Sequence, residues 1–383
     1  MSALIYLDHN ATTPVASDVL DAMLPWLGAG FGNPASDHPL GRAARAAVDQ
    51  ARTQVASLIG AQPENILFTA SATEANNLAL LGAARALAQT GRGRHLIASA
   101  VEHPAVSAPL DYLETQGWTL SWLRVDASGQ VNPADLQAAL RPDTRLVSVM
   151  HANNEVGTIQ PIRELAALAH QSGALFHCDA AQSAGKIPID VNALGVDLLT
   201  LAGHKFHAPK GIGALYRRAG APLQPLLFGA GQEQGLRPGT ENVAYIVALG
   251  AAAALAQARL PTLSARLKRQ RDGLHRALEA AIPGLVLNGH PEARLPNTLS
   301  LAFPAVTGHD LLADAPEIAA SLGAACHAGA DAVSSVLAAM GRPPEQAHAT
   351  VRLSLGAETS DAELERAADV LINAWRQSVT AGQ

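Results

Sequence analysis

The sequence predicts an α/β fold: a large domain on a mostly parallel, seven-stranded sheet, followed by a smaller α+β domain. Three observations carry this. Short apolar runs alternate with amphipathic helical stretches through residue 255 or so, the pattern of a sheet wrapped by helices. Several runs are apolar at every position, as strands covered on both faces must be. After that point the rhythm changes to a long charged helix, isolated strands and a final helix.

The strand candidates are Ile66–Thr69, His95–Ser99, Leu120–Val125, Leu146–Met150, Leu175–Cys178, Leu198–Leu201 and Gly213–Tyr216. Among the helices, Ala44, Val48, Ala51, Val55 and Leu58 recur at spacings of four and three, and Gly60 closes the stripe. Pro161 to His170 reads as another helix. In the second unit we expect a helix from Leu263 to Ile282, strands at Thr298–Phe303 and Val351–Leu355, and a last helix from Ser360, where Glu363 completes capping-box spacing. The expected boundaries are 16–255 for the large domain and 1–15 with 256–383 for the small one, the first residues covering the junction.

Composition removes several classes. At 383 residues with 48% hydrophobic and 16% charged content, the chain can bury large cores. The net charge of −6 is spread without a basic block, so nucleic acid is not an expected partner. Two cysteines, Cys178 and Cys326, do not make a disulfide framework. The N-terminus lacks the charged and apolar regions of a signal peptide. Val247 to Ala258 is alanine-rich and too short for a bilayer, so the expected location is cytoplasmic, with no membrane. There is no G-x-G-x-x-G after a strand, no Walker A lysine and no G-x-S-x-G elbow. His204 with His207, or Cys326 with His327, falls short of a metal-ligand set.

The chemistry gathers at strand ends, where ligands collect in such folds. Lys205 follows the apolar run ending at Ala202. An ammonium there either snorkels to water or is consumed as a Schiff base with an aldehyde cofactor. Ser71 and Glu74 have capping-box spacing, which puts Thr73 at a helix start, either an ordinary cap or a phosphate seat. Asp179 directly follows a strand. It either caps a helix or pairs with a cation such as a protonated pyridine nitrogen, with Gln182 able to hold the ring hydroxyl. His103 either serves the fold or stacks on a flat ring and moves protons. Asn154 reads as a turn residue or a polar contact. Arg352, between apolar residues, reads as an internal ion pair or a carboxylate clamp. Cys326, in the small-residue segment SLGAACHAG, reads as a mobile loop thiol able to act as nucleophile, whereas Cys178 reads as inert core.

Taken together, YLDHNATTP (6–14), FGNPAS (31–36), SATEANN (71–77), VEHPAV (101–106), MHANNEVG (150–157), HCDAAQSAGK (177–186), AGHKFHAPKGIGALY (202–216), RPGTEN (237–242) and VRLSLG (351–356) resemble, in order, the NifS-like cysteine desulfurase group of class V, fold-type I pyridoxal-phosphate enzymes. LLFGAGQEQGLRPGTEN and SLGAACHAG lean towards selenocysteine lyase. The resemblance implies pyridoxal 5′-phosphate as cofactor and a homodimer. Lys205 would carry the cofactor. Ala72, Thr73, His204 and the backbone near Ala202 would bind its phosphate, and Thr240 would reach it from the other subunit. Asp179 would pair with the ring nitrogen, Gln182 with its hydroxyl oxygen, and His103 would stack on the ring. Asn154 and Arg352 would hold the substrate carboxylate, and Cys326 would accept the chalcogen from L-cysteine or L-selenocysteine before an acceptor protein takes it. Many desulfurases carry a phosphate-binding serine where Ala202 stands. A class V aminotransferase on the same fold is a more remote expectation, one that would not need Cys326.

Overall fold

In the computed structural model, which describes residues 4–322 and 334–381, twelve strands occur among the described residues. In chain order they are β1 (Ile5–Tyr6), β2 (Ile66–Thr69), β3 (His95–Ser99), β4 (Thr119–Leu123), β5 (Thr144–Ser148), β6 (Leu175–Asp179), β7 (Leu198–Ala202), β8 (Gly213–Arg217), β9 (Val286–Asn288), β10 (Thr298–Ala302), β11 (Ile318–Ala319) and β12 (Thr350–Ser354). The seven expected strands of the large sheet all form, in the order β2-β8-β7-β6-β5-β3-β4. Strands β3 to β7 run parallel to their neighbours, and β8 alone is antiparallel, between β7 and β2. The other six therefore deliver their carboxyl ends to one rim.

Both faces of this sheet are buried, which is why its strands read as continuous apolar runs. Ile66, Phe68, Ile97, Leu199 and Leu201 belong to one core, while Leu67, Leu96, Ala98 and Leu198 belong to the core on the opposite face. The alternation within each strand is the two-residue period of the pleat. Helix Pro39–Leu58 covers one face, and Gly60, at φ +66°, takes the left-handed turn that lets the chain leave it.

The expected helix Leu263–Ile282 is longer in the structure. It joins the alanine-rich stretch before it into one helix, Val243–Ala281. Among the described residues this is the one helix long and apolar enough to cross a membrane. Its first half instead buries Ala248, Leu249, Ala252 and Ala253 in the core beneath the sheet, and Gly250 permits contact with helix Pro39–Leu58, because a Cβ there would lie 2.6 Å from the Ala51 Cα. The expected boundary at residue 255 thus falls inside an unbroken helix. Its second half, through Leu267, Leu274 and Leu278, packs on a third core with Leu299, Leu301, Phe303, Val351 and Leu353. That core underlies the antiparallel sheet β12-β10-β9. The final helix, Asp361–Ala381, begins with the expected reciprocal cap: Ser360 Oγ accepts from the Glu363 N–H at 3.2 Å, and Glu363 Oε2 accepts from the Ser360 N–H at 2.8 Å.

The first residues bind these parts together. Strand β1 pairs with β11, and the Leu7 carbonyl accepts from the Ser354 N–H at the end of β12. The chain then crosses to the rim of the large sheet, where the Thr13 N–H donates to the His204 carbonyl.

Candidate active site

At that rim lies a cavity of about 210 Å³. It is lined by Ala72, Thr73, His103, Asn154, Asp179, Gln182, Ala202, His204 and Lys205, together with Ser71, Asn76 and Met150. Thr240 and Arg352 do not line it, and Cys326 lies outside the described residues. A larger groove of about 1290 Å³ opens elsewhere, around Phe303, Pro304, Thr307 and Ser378, without any of these groups.

Each side chain arrives from a strand end. After β2, Ser71 caps helix Ala72–Asn77 by accepting from the Glu74 N–H at 3.1 Å. Glu74 Oε2 reaches back to the Ala70 N–H at 2.6 Å, and its Oε1 meets Arg237 Nε at 2.9 Å. The first-turn amides of Ala72 and Thr73 have no intrahelical acceptor. Strand β8 passes close beneath this turn only because residue 213 is glycine: a Cβ there would lie 2.7 Å from the Ser71 carbonyl carbon and 2.9 Å from the Ala72 nitrogen.

From the end of β6 comes Asp179, only 5% exposed. Its Oδ2 accepts from Asn76 Nδ2 at 2.8 Å, and its Oδ1 accepts from the Ala181 N–H at 2.9 Å. Neither partner is a cation. A buried carboxylate so placed favours a positive ligand group beside it. Following β3, His103 caps helix Pro104–Thr115 by accepting from the Ala105 N–H on Nδ1 at 3.0 Å, which leaves the proton of the neutral ring on Nε2. Burial lowers its pKa, Asp179 works against that, and Lys205 adds to it.

Lys205 ends a short turn after β7. Its Nζ donates to the carbonyl oxygens of Asn10 at 2.6 Å and Ala11 at 2.8 Å. His204 beside it is pushed down to about 4, by burial first and then by Lys205, Lys210 and Lys186. It is neutral at pH 7, with Nδ1 3.2 Å from Thr12 Oγ1.

Arg352, on β12, is 2% exposed and forms the internal ion pair, donating to Asp8 Oδ1 at 2.7 Å; it also donates to the Asn154 carbonyl at 3.0 Å, while its buried Nε–H has no acceptor among the described residues. Thr240 is exposed on the segment that follows Arg237. The residues flanking the stretch that holds Cys326 are tied to the same rim. The Ser321 backbone pairs with Arg352, and Ser334 Oγ donates to Glu155 Oε2 at 2.5 Å, next to Asn154.

Four residues of this rim were not singled out from the sequence. Asn10 joins both sides of the site, Lys186 donates to Asn10 Oδ1 at 3.0 Å and Gln182 Oε1 at 2.8 Å, Asn76 holds Asp179, and Glu102 lies buried beside His103. All four stand inside the matched motifs, Asn10 in YLDHNATTP, Asn76 in SATEANN, Glu102 in VEHPAV and Lys186 in HCDAAQSAGK, and membership in those motifs is the signal that could have found them.

These features fit pyridoxal 5′-phosphate: a helix start and a glycine-cleared approach for the phosphate, a primary amine for the aldehyde, and at Asp179 a carboxylate, lacking a cation among the described residues, for a ring nitrogen.

Comparison with known proteins agrees. The family model described as "Aminotransferase class-V" matches residues 5–367. The chain is 44% identical to a cysteine desulfurase IscS of Dictyoglomus turgidum over 97% of this chain and 94% of that protein. Among solved structures, a NifS-like protein superposes with a TM-score of 0.90 at 35% identity, covering 98% of this chain and 100% of the other. A structure described as SspA in complex with cysteine superposes with a TM-score of 0.81 at 36% identity, covering 91% and 98%.

Proposed function

This chain belongs to the class-V aminotransferase family, and from that premise we propose that it is a pyridoxal-phosphate-dependent cysteine desulfurase, converting L-cysteine to L-alanine and passing the sulfur to Cys326. The observation that carries the reading is that Lys205 and Asp179, a primary amine and a buried carboxylate without a cationic partner among the described residues, line one cavity at the ends of adjacent strands.

When bound, the cofactor supplies an electron sink that stabilises negative charge at the substrate Cα. The chain does the rest. Lys205 Nζ anchors the cofactor and, once neutral and released, is placed to take the Cα proton. Asp179 keeps a ring nitrogen protonated. The helix start at Ala72 and Thr73 seats the phosphate, with His204 as a neutral neighbour. Asn154 lines the cavity and faces the substrate carboxylate, and Arg352, whose guanidinium donates to the Asn154 carbonyl, stands behind it as the cation for that carboxylate. His103 carries its proton on Nε2 and presents it as a hydrogen-bond donor to the substrate sulfur. Overall, the carbon–sulfur bond of L-cysteine breaks, a sulfur–sulfur bond forms at Cys326, and a proton replaces sulfur on the β-carbon.

We further read the protein as a cytoplasmic homodimer that hands sulfur to an acceptor protein, iron–sulfur assembly among the candidate uses. Leu20, Leu24, Leu27 and Phe31 expose apolar surface in one stretch, and Phe228 stands 85% exposed twelve residues before Thr240. A second copy covering them suits a Thr240 that reaches the neighbouring phosphate.

The test is direct. Borohydride reduction of the holoprotein followed by digestion should place the pyridoxyl group on Lys205, and L-cysteine should yield alanine with a labelled persulfide on Cys326. A pyridoxyl group elsewhere, or undiminished turnover by Cys326→Ala, would overturn the reading, the latter in favour of an aminotransferase. L-selenocysteine is run in parallel; a large excess of turnover with it would reassign the enzyme as a selenocysteine lyase.

A further inference from the structure

We propose that Lys186 is a positioning residue of this site: its ammonium fixes the Gln182 amide so that Nε2, and not the carbonyl oxygen, is presented to the cofactor's ring hydroxyl oxygen. The inference rests on the cofactor reading above and deepens it.

Lysine offers three donors and no acceptor, so the amide atoms that face it are oxygens. Lys186 Nζ donates to Gln182 Oε1 at 2.8 Å and to Asn10 Oδ1 at 3.0 Å. Each amide thereby has one orientation. Gln182 Nε2 turns away from Lys186 and donates to the Asn10 carbonyl at 3.0 Å, the same oxygen that accepts from Lys205 Nζ at 2.6 Å. Asn10 Nδ2 is turned to Thr298 Oγ1 at 2.8 Å and the Asn154 carbonyl at 3.2 Å, and its Oδ1 also accepts from Asn297 Nδ2 at 3.1 Å. Without a donor at position 186, Gln182 Oε1 has no partner among the described residues, and the amide orientation rests on the single Nε2 bond to the Asn10 carbonyl.

The environment is not that of an ordinary structural lysine. Lys186 is 7% exposed, and both acceptors are neutral amides. Its electrostatic neighbours are Lys205 and Arg352, so burial and two cations together press its pKa well below the usual lysine range. A chain that needed only to fill this space would do so more favourably with an apolar residue. A buried amine held against two amide oxygens and next to the cofactor lysine has a use if a specific donor must face an anionic ring oxygen.

The experiment measures equilibrium binding of two ligands to cofactor-free protein: pyridoxal phosphate, and the analogue lacking its 3-hydroxyl. Lys186→Met should weaken pyridoxal phosphate by about tenfold, the size of one lost coupled hydrogen bond, and leave the analogue within about twofold. Gln182→Leu should give the same selective loss, and the double variant should lose no more than either alone. Lys186→Arg, which keeps a charged donor, should regain most of the discrimination. If Lys186→Met does not fold, Lys186→Leu, which also lacks a donor, takes its place in the comparison. Equal weakening of both ligands, no weakening of either, or additive losses in the double variant would overturn the inference. Failure of the wild type to carry pyridoxal phosphate on Lys205 would instead strike at the functional reading itself.

Discussion

Asn76 Nδ2 donates to Asp179 Oδ2 at 2.8 Å, which ties the first helix after β2 to the end of β6 across the floor of the cavity. Asp179 is thereby oriented before any ligand arrives. Replacing Asn76 with Ala should weaken cofactor binding by about 1–3 kcal/mol, the cost of removing a donor from a buried carboxylate. Titration of cofactor-free protein followed at the visible band checks this; affinity equal to wild type would remove Asn76 from the site's support.

Gly213 controls how closely β8 approaches the turn at Ser71 and Ala72. In Gly213→Ala the new methyl group meets backbone on both sides, including the Leu201 carbonyl at 2.8 Å, so the helix start must shift. The expected outcome is a selective loss for phosphorylated ligand: pyridoxal phosphate should weaken by about tenfold or more while pyridoxal changes little. Equal loss of both would place the damage in general folding instead.

Glu102 is buried. Oε1 accepts from Ser99 Oγ at 2.5 Å and from the Met150 N–H at 2.8 Å, and Oε2 has no described partner. Burial raises its pKa to about 8, opposed by those two donors. Because the folded-state pKa lies above the unfolded one, the folded chain keeps a proton that the unfolded chain releases, and the contribution of Glu102 to stability falls as pH rises from 4.5 to about 8. The full penalty is on the order of 5 kcal/mol. Glu102→Gln cannot ionise, so its melting temperature should hold between pH 6 and pH 9, about, while that of the wild type drops. Parallel curves would contradict this.

The acid side has the opposite origin. His9, His151 and His177 are each at most 5% exposed, and burial lowers each to about 4. Below pH 6.5 the unfolded chain takes up protons that these rings refuse, so stability falls from pH 6.5 towards 4, by about 3 kcal/mol per ring in full. Urea unfolding at three pH values in that window should show the midpoint dropping steadily, and His177→Gln should shallow the slope. A midpoint that rises on acidification would reverse the argument.

Much of this was legible in the sequence because it is local. The strands of the large sheet are short runs of apolar residues, and burial on both faces made them continuous; their ends, displaced by no more than two residues, depend on partners that the runs do not name. The reciprocal cap at Ser360 and Glu363 was legible from spacing. Strand order was not, since β8 between β7 and β2 is decided by crossovers and not by the composition of any one strand. Helix Val243–Ala281 was read short because its apolar half and its charged half serve different cores and look like different elements. Within the site, Lys205 and Asp179 betrayed themselves as charges beside apolar runs. Asn10 did not: a neutral amide in a polar stretch carries no mark of burial, and its role comes from partners at positions 186, 205, 297 and 298.

Asn10 also sets an order of events during synthesis. Its backbone N–H donates to Ser354 Oγ, 344 residues later, and β1 needs β11 as its neighbour. The segment that holds Lys205 therefore leaves the ribosome 344 residues ahead of one of the side chains that fix it. The vitamin-binding chamber matures only after translation reaches β12, and a nascent chain halted before then presents its lysine without the two carbonyls that steady it.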